Sequence, residues 1–404
     1  MKRSALMACV AAAALAAGPA AAQQVSDDVV KLGVMNDQSG LYADITGQGS
    51  VIAARMAVED FGGKVLGKPI EVIFADHQNK PDVGSNIVNR WIDTDQVDAI
   101  VDVPTSSVAL ATQQITKTKN RIFLISGAAA SDLTGKACSP VGFHWTYDTY
   151  MLANGTGNAL VKAGGDSWYF LTADYAFGHA LERDTAAAVQ AAGGKVLGQV
   201  RHPLNTADFS SFLLQAQASK AKVIGLANAG GDTINSIKQA SEFGIVTGGQ
   251  RLAGLLVFIT DIHALGLKAT QGLVLTESFY WDLNDETRAF SKRFMAKSGG
   301  KPPSMVQAGV YSAVMHYLKA VQAAGTDKTE AVAAKMRETK VNDFMSKDVE
   351  VRADGRVMRT AYLFQVKKPD ESKGPWDYYK LLATIQPNDA FRPVDKGDCP
   401  LVKK

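Results

Sequence analysis

The six residues GGKVLG occur twice in this chain, at 62 to 67 and at 193 to 198, and their surroundings repeat as well. Before each copy lies a short apolar run typical of a strand, then a polar turn, then helical spacing of apolar residues. Each glycine pair is expected to end its helix, because glycine adopts the left-handed conformation at little cost, and the V-L run to open the next strand. Any α/β protein can reuse such turn chemistry, but the matching order of elements favours two similar lobes.

More strands follow each copy at helix-length intervals. They are PIEVIFAD, VDAIVDV and RIFLIS in the first half, and LGQVRHP, AKVIGLAN, RLAGLLVF and GLVLTESFYWD in the second. Such alternation predicts an α/β fold with parallel sheets covered by helices on both faces. The β-rich end of the chain is interpreted as strands added to these lobes. Ligands of open α/β sheets bind beyond the carboxyl ends of the strands, so the loops after these strands are the candidate site.

The chain begins with a pattern typical of a secretory signal. Lys2 and Arg3 precede an apolar run, and small residues precede Gln23, so residues 1 to 22 are predicted to be a cleavable signal peptide. The run is too short to span a membrane. Its removal takes away two cations and no acid, so the formal charge falls from +3 to +1. A near-neutral surface argues against nucleic acid or an anionic membrane as the main partner.

Two cysteines remain after the signal, Cys138 and Cys399. In an oxidising compartment one structural disulfide is the expectation, with free thiols as the alternative. The bond would return the C-terminal tail to the first third of the chain. A mature chain of about 380 residues is too long for one comfortable core, which again predicts two lobes.

Hydroxyl groups and small residues dominate two of the candidate loops. Thr105 and Ser106 lead into a helix whose first N–H groups could bind a carboxylate, with plain helix capping by these hydroxyls as the alternative. Gly127, Ala128 and Ala129 would let a ligand oxygen approach the backbone closely. Together the two loops are predicted to form an anion-binding cradle.

Tyr42 and Tyr175 occupy matching places in the two copies, each between the first strand and the first helix. They are predicted to face one another across a cleft, with a plain surface position as the alternative. Asp232 and Asp261 follow strands of the second half and could bind a polar end of the ligand, with helix capping as the alternative.

Motifs for catalysis are absent from the sequence. There is no phosphate-binding loop of the Walker type, no H-E-x-x-H, no C-x-x-C and no G-x-S-x-G. The histidines do not fall at metal-ligand spacing with one another or with cysteine. We therefore expect neither an enzyme nor a cofactor or metal.

At these loops the chain resembles the periplasmic solute-binding proteins of ABC importers, in the branched-chain amino acid binding group of type I bilobal receptors. The resemblance is carried by KLGVMNDQSGLYAD, VDVPTSSVALA, FLISGAAASDLTG, ADYAFGHALE and IKQASEFG and spans the mature chain. It implies two Rossmann-like lobes joined by three crossovers, with the ligand trapped by hinge closure and then passed to an ABC permease. It places the site on Tyr42, Val103, Thr105, Ser106, Ala128, Ala129, Tyr175, Ala229, and Thr260 or Asp261.

The sequence departs from that family where the ligand should lie. Members that bind amino acids commonly have threonine where this chain has Ala129, and a loop expected to supply an aromatic residue reads Asn228-Ala229-Gly230. Phe177 and the stretch containing Tyr280 would instead supply aromatic surface. These changes favour a carboxylate with a bulkier, aromatic body; the alternative is an aliphatic branched-chain amino acid. A ligand without an ammonium group would leave Asp261 without a charge partner, which counts against this hypothesis.

The expected organisation follows from this resemblance. Residues 27 to 146 with 278 to 345 form lobe 1, residues 147 to 277 with 346 to 385 form lobe 2, and residues 386 to 404 return to lobe 1. The crossovers are expected near 144 to 148, 276 to 279 and 344 to 349. We expect a periplasmic monomer that captures a small carboxylated solute for an inner-membrane ABC permease. A sensory ligand-binding module is the rival function, since a fold alone does not determine its output.

Overall fold

Strongly apolar runs of the first half form one sheet in this computed structural model, which describes residues 25 to 402. Its strands are β1 (Val30–Asn36), β2 (Lys64–Val65), β3 (Lys68–Asp76), β4 (Ala99–Asp102), β5 (Ile122–Ile125) and β6 (Gly142–His144). They lie in the order β2-β3-β1-β4-β5-β6, and all neighbours except β2 and β3 are parallel. Since β4 and β5 are buried along their whole length, helices must cover both faces of the sheet. We call the part of the molecule built on this sheet lobe 1.

The helices on lobe 1 come from two separate parts of the chain. They are α1 (Gly47–Phe61), α2 (Pro81–Asp93), α3 (Ser106–Lys119), and, much later, α11 (Asp285–Lys297), α12 (Met305–Ala324) and α13 (Thr329–Glu338). Helix α12 is buried almost all round because it packs between α1, α13 and the sheet. The later segment therefore completes the core of lobe 1.

A second parallel sheet forms from the middle of the chain, and we call the part built on it lobe 2. Its strands are β7 (Ser167–Ala173), β8 (Lys195–His202), β9 (Val223–Ala227) and β10 (Arg251–Gly254), in the order β10-β9-β7-β8. Its helices are α4 (Thr149–Leu152), α5 (Asn158–Lys162), α6 (Ala176–Ala191), α7 (Ser210–Ala218), α8 (Gly231–Glu242), α9 (Ile259–Leu265) and α10 (Leu267–Thr270), with a π-helical turn at Ala153–Gly157. The predicted α/β fold with parallel sheets is confirmed.

The β-rich end of the chain forms antiparallel sheets of its own, and the segment GLVLTESFYWD, which was expected among the parallel strands of the second half, belongs to one of them. Strands β11 (Val274–Glu277), β14 (Ala361–Val366) and β15 (Tyr379–Ile385) form one sheet, and β12 (Val341–Asp343) pairs with β13 (Ser346–Val349). A short helix α14 (Pro387–Ala390) follows. The predicted signal peptide lies outside the described residues. Among residues 25 to 402, no helix has both the length and the apolar character to cross a membrane.

The two GGKVLG copies have different structures. Gly62 and Gly193 both follow a helix with positive φ, 104° and 88°, so the predicted helix ends are confirmed. In the first copy the chain turns back at Leu66 and Gly67, both with positive φ, and β2 pairs antiparallel with β3. In the second copy β8 runs straight through, with Gly198 at an irregularity opposite Tyr169. In the first copy the expected strand is therefore only the two-residue β2, which ends at Val65, and the long strand begins at Lys68.

The C-terminal tail is held to lobe 1 by a covalent bond. Cys138 and Cys399 form a disulfide with their Cα atoms 5.6 Å apart and 261 residues between them in sequence. Beside it, Arg392 donates a hydrogen bond to the Ser131 carbonyl at 3.0 Å. The disulfide expected from the count of cysteines is present in the structure.

Replacing both cysteines by serine should lower the free energy of unfolding by about 2–5 kcal/mol, because the bond closes a long loop and so restricts the unfolded chain. Urea denaturation of wild type and the double variant measures the difference. Adding a reductant should destabilise the wild type alone. An equal effect of the reductant on both proteins would contradict the prediction.

Candidate ligand-binding site

A cavity lies between the two lobes, at the carboxyl ends of their parallel strands. Its volume is about 300 Å³ including the part that opens to solvent. Twelve residues line it: Tyr42, Ile45, Pro104, Gly127, Ala129, Tyr147, Tyr175, Phe177, Ala229, Leu256, Phe258 and Val306. None of these side chains carries a charge at neutral pH, and five of them are aromatic, so the wall is apolar with a few phenol and backbone groups.

The lobe 1 wall consists of two loops packed closely together. After β4 the backbone of Asp102 and Val103 takes positive φ, 81° and 54°, which is rare for a β-branched residue and turns the chain sharply into Pro104. A Cβ placed on Gly127 would lie 2.7 Å from the Pro104 Cα, so only glycine permits this approach. The strained turn and the glycine together bring the loops after β4 and β5 to the cavity.

Helix α3 begins at these loops, and its hydroxyl groups are already engaged. The Ser106 hydroxyl accepts hydrogen bonds from the N–H groups of Ala129 and Ala130 at 3.3 and 3.2 Å. The Thr105 hydroxyl donates to the side-chain oxygen of Asn79. The predicted cradle is thus a pair of loops tied to one another, and neither hydroxyl-bearing residue lines the cavity.

Two more residues predicted for the lobe 1 wall also face away from the cavity. Val103 and Ala128 are fully buried in the apolar cluster under α2 and α3. Ala128 directly precedes Ala129, which does line the cavity, because neighbouring residues of an extended segment direct their side chains to opposite sides. Both predicted loops thus border the cavity, but Val103 and Ala128 point away from it.

Aromatic rings form the opposite wall. Tyr175 and Phe177, at the start of α6, have ring centroids 5.9 Å apart. Tyr147 stands edge-on to Phe258 at 6.2 Å and donates a hydrogen bond from its hydroxyl to the Gly127 carbonyl at 2.6 Å. This bond fixes Tyr147 between the two lobes.

The two lobes touch across the cavity. The hydroxyl oxygens of Tyr42 and Tyr175 are 2.6 Å apart, and the Gly231 N–H donates to the Leu41 carbonyl at 3.2 Å. Burial raises the pKa of both phenols above the usual value, so both remain neutral hydrogen-bond donors at physiological pH. The facing arrangement predicted for the two tyrosines is present as a direct contact.

A polar cluster on α6 joins the lobes away from the cavity. Asp184 accepts hydrogen bonds from the hydroxyls of Ser131 and Thr149 at 2.7 and 2.6 Å. Arg183 pairs with Asp132 at 3.1 Å. No sequence pattern predicts this contact, because its partners lie on elements far apart in the chain.

The two acids predicted for the site in lobe 2 accept hydrogen bonds from backbone N–H groups. Asp232 accepts the N–H groups of Asn205 and Thr206 at 3.1 and 2.8 Å, and Asp261 accepts that of Phe258 at 2.9 Å. Burial raises the pKa of Asp261 to about 7 and that of Asp232 to about 6. Neither lines the cavity; Asp261 caps α9, as the alternative for it stated, whereas Asp232 holds the loop after β8 rather than a helix end.

Two further predicted residues lie elsewhere. The Tyr280 hydroxyl donates to the Trp376 carbonyl at 3.1 Å, and its ring packs 4.9 Å from that of Tyr379 in the apolar cluster beneath β14. Trp281 donates to the same carbonyl, so this aromatic stretch is core rather than cavity wall. Thr260 borders a separate groove with Asp44 and Lys301.

Several lining residues were missed by the sequence analysis: Ile45, Pro104, Tyr147, Leu256, Phe258 and Val306. Leu256 and Phe258 were placed within the strand RLAGLLVF, but β10 ends at Gly254, so both lie in the loop beyond its carboxyl end. A correct strand boundary would have found them. Val306 gave no signal, because α12 reaches the site only through its packing on α1.

The similarity to known proteins covers the length of this architecture. The family model for periplasmic binding proteins matches residues 29–374. A crystal structure of a periplasmic binding protein from Burkholderia mallei is 53% identical, with a TM-score of 0.91 over 93% of this chain and 100% of that one. A branched chain amino acid ABC transporter periplasmic ligand-binding protein from Burkholderia xenovorans LB400 is 41% identical, with a TM-score of 0.82 over 92% of this chain and 99% of that one.

A more distant structure shares the fold. It is a solute-binding protein of an ABC transporter from R. palustris in complex with benzoate, 22% identical, with a TM-score of 0.81 over 92% of this chain and 99% of that one. The family match and the fold agree with one another. The chain belongs to the periplasmic binding proteins, in the type I group that contains the branched-chain amino acid binding components of ABC importers.

Proposed function

We propose that this protein captures a small carboxylate with an aromatic body between its lobes and delivers it to an ABC permease. Membership of the family implies a small solute and permease subunits as partners. The proposal concerns the chemical class of the solute, and the observation that carries it is the uncharged, largely aromatic wall of the cavity.

The absence of a charged side chain from that wall argues against a zwitterion. A buried ammonium group needs a carboxylate or several acceptors to offset its lost hydration. The acids suited to that role, Asp232 and Asp261, hold backbone N–H groups instead. Asp261 already accepts a hydrogen bond from the Phe258 N–H, so a ligand without an ammonium group does not leave it without a partner.

The groups available at the cavity suit a carboxylate. Of the two neutral phenols Tyr42 and Tyr175, one donates to the other, which leaves one O–H to donate to an anion, and Pro104 places the start of helix α3 beside the wall. The first N–H groups of a helix have no partner within it and favour negative charge. An aromatic body would lie against Phe177 and Phe258, where ring pairs add to the effect of apolar burial.

The volume of about 300 Å³ restricts the size of the ligand. Because this figure includes space that is open to solvent, the enclosed part is smaller still, which favours a small solute such as a single ring with a carboxylate. The R. palustris protein with the same fold was crystallised with benzoate, a ligand of this kind.

A branched-chain amino acid is the second candidate. It is favoured by the Burkholderia xenovorans relative, whose name refers to branched chain amino acid transport. Its aliphatic side chain would fit the apolar wall, but its ammonium group would need acceptors from the backbone. The two candidates thus differ in one measurable respect, the requirement for an ammonium group.

A thermal-shift screen of the mature protein tests the proposal with two panels, aromatic carboxylates and aliphatic amino acids. A ligand that binds only the folded protein raises Tm by mass action, by several degrees at about 100 times Kd. We expect a shift with benzoate-like acids and none with leucine, isoleucine or valine. A shift only with those amino acids would overturn the aromatic assignment, and benzamide, which lacks the carboxylate charge, is the matched control.

Tyr175→Ala should weaken binding of the ligand found in that screen at least tenfold, since it removes a ring and a hydroxyl from the cavity wall. The Tm of the empty protein should change little, because Tyr175 is only half-buried. Calorimetric titration measures the affinity, and Tyr175→Phe separates the hydroxyl from the ring. A large loss of Tm in the empty alanine variant would mean that Tyr175 is a core residue.

Gly230→Ala should weaken binding by opposing closure of the lobes. A Cβ at this position would lie 2.4 Å from the Leu41 carbonyl oxygen of the other lobe. The control is Gly193→Ala, which also has positive φ but no neighbour within 4 Å. We expect roughly tenfold weaker affinity for the first variant and wild-type affinity for the second. Equal affinities would show that closure does not require the contact at Gly230.

A further inference from the structure

Three carboxylates meet at the end of lobe 1 that lies away from the ligand cavity. Asp27 precedes β1, Asp98 precedes β4, and Asp327 follows α12, so they gather at the amino ends of the strands. One oxygen of each lies within 4.8 Å of the others. Asp98 and Asp327 are only 8% and 7% exposed, so two of these three acids are withdrawn from water.

The negative charge of this cluster is not balanced by an ion pair within the described chain. Neighbouring Asp28 pairs with Lys68, but the three clustered acids take part in no ion pair formed within residues 25 to 402. Arg121 acts on Asp98 only as a more distant charge. Burial and the two neighbouring acids raise the pKa of Asp98 to about 7, which reflects the cost of holding several negative charges there.

An independent observation comes from helix α12. Tyr317 is fully buried, and its hydroxyl has no hydrogen-bond partner among the described residues. Burial and then the negative charges of Asp98 and Asp327 raise the pKa of this phenol, so the hydroxyl lies within electrostatic range of the cluster. A buried polar group without a partner is unfavourable unless another group, an ion or a held water completes it.

Short hydrogen bonds from the backbone and from Ser26 hold two of these carboxylates in place. The Ser26 hydroxyl and N–H both donate to one oxygen of Asp327 at 2.7 Å. The Lys31 N–H donates to one oxygen of Asp98 at 2.8 Å. Each of these two acids therefore keeps a second oxygen that these bonds do not use.

We propose that Asp27, Asp98 and Asp327 bind a calcium ion. Calcium takes oxygen ligands at 2.3–2.6 Å, so two of them can lie about 5 Å apart across the ion, whereas magnesium at 2.0–2.1 Å limits that separation to about 4.2 Å. The three oxygens lie within 4.8 Å of one another, which calcium can bridge, and a set of three protein carboxylates suits calcium better than magnesium, which usually takes one or two. Waters would complete the coordination, one of them within reach of the Tyr317 hydroxyl. The ion would fasten the start of the mature chain to lobe 1.

The test is a CaCl2 titration of the protein from residue 23 onward, treated with EDTA and dialysed, with any tag at the C-terminus. With a Kd typical of extracellular calcium modules, about 0.1–1 mM, 10 mM CaCl2 should raise Tm by roughly 2 °C. MgCl2 should give a clearly smaller shift. No response to CaCl2, or an equal response to both salts, would overturn the assignment.

Asp98→Asn separates binding from general salt effects. The amide oxygen can still accept the Lys31 N–H, so the ion-free variant should melt no lower than ion-free wild type, while the calcium shift disappears. Asp370→Asn, which changes an exposed acid elsewhere, should keep the full shift. A shift retained in Asp98→Asn, or lost in Asp370→Asn, would contradict the proposal. Because the cluster lies away from the cavity, this result is independent of the solute that the protein binds.

Discussion

The carboxyl ends of the strands in two parallel sheets face one another, and the cavity lies where those ends meet. Each strand of such a sheet releases a loop at the same edge, so loops distant in sequence gather at one place. The contact between Tyr42 and Tyr175 and the bond from Gly231 to Leu41 hold the two edges together. Other features of the site, including its size and its lining, follow from this meeting of two edges.

Closure requires backbone that most residues avoid. Asp102 and Val103 both adopt left-handed conformations, and Gly127 and Gly230 stand where a side chain would strike the neighbouring loop. Strain of this kind persists only where the surrounding structure enforces it, and it is common at ligand sites. Here it lets two loops of lobe 1 approach each other and one loop of lobe 2 approach lobe 1.

The site combines an uncharged wall with charged groups kept behind it. Asp232 and Asp261 stabilise loops through backbone N–H groups, and the polar cluster of Arg183, Asp184 and Asp132 joins the lobes outside the cavity. A charged side chain close to a buried ligand dominates the binding energy. Neutral hydrogen-bond donors distinguish ligands by the position of their polar atoms, and burying them costs less hydration free energy. The arrangement therefore leaves shape, ring contacts and a few neutral hydrogen bonds to distinguish one solute from another.

The fold could be predicted from the sequence because it depends on periodicity, which each segment carries by itself. The loops of the site could be predicted for the same reason, and Tyr42, Gly127, Ala129, Tyr175, Phe177 and Ala229 were found in this way. Val103, Ala128 and Tyr280 could not be excluded, because a displacement of one residue along a loop exchanges the cavity for the core. Val306 and Arg183 could not be found, because their positions depend on how distant elements pack.

The repeated GGKVLG illustrates this division most clearly. By itself the sequence determined two α/β lobes, a helix end at each glycine pair and the two cysteines available to form a bond. Only the tertiary structure decided that one copy turns back into a hairpin while the other continues as a strand along β7. The physical reason is that backbone preference is local, whereas a strand's partner, and the direction in which a side chain points, depend on neighbours that the fold alone brings together.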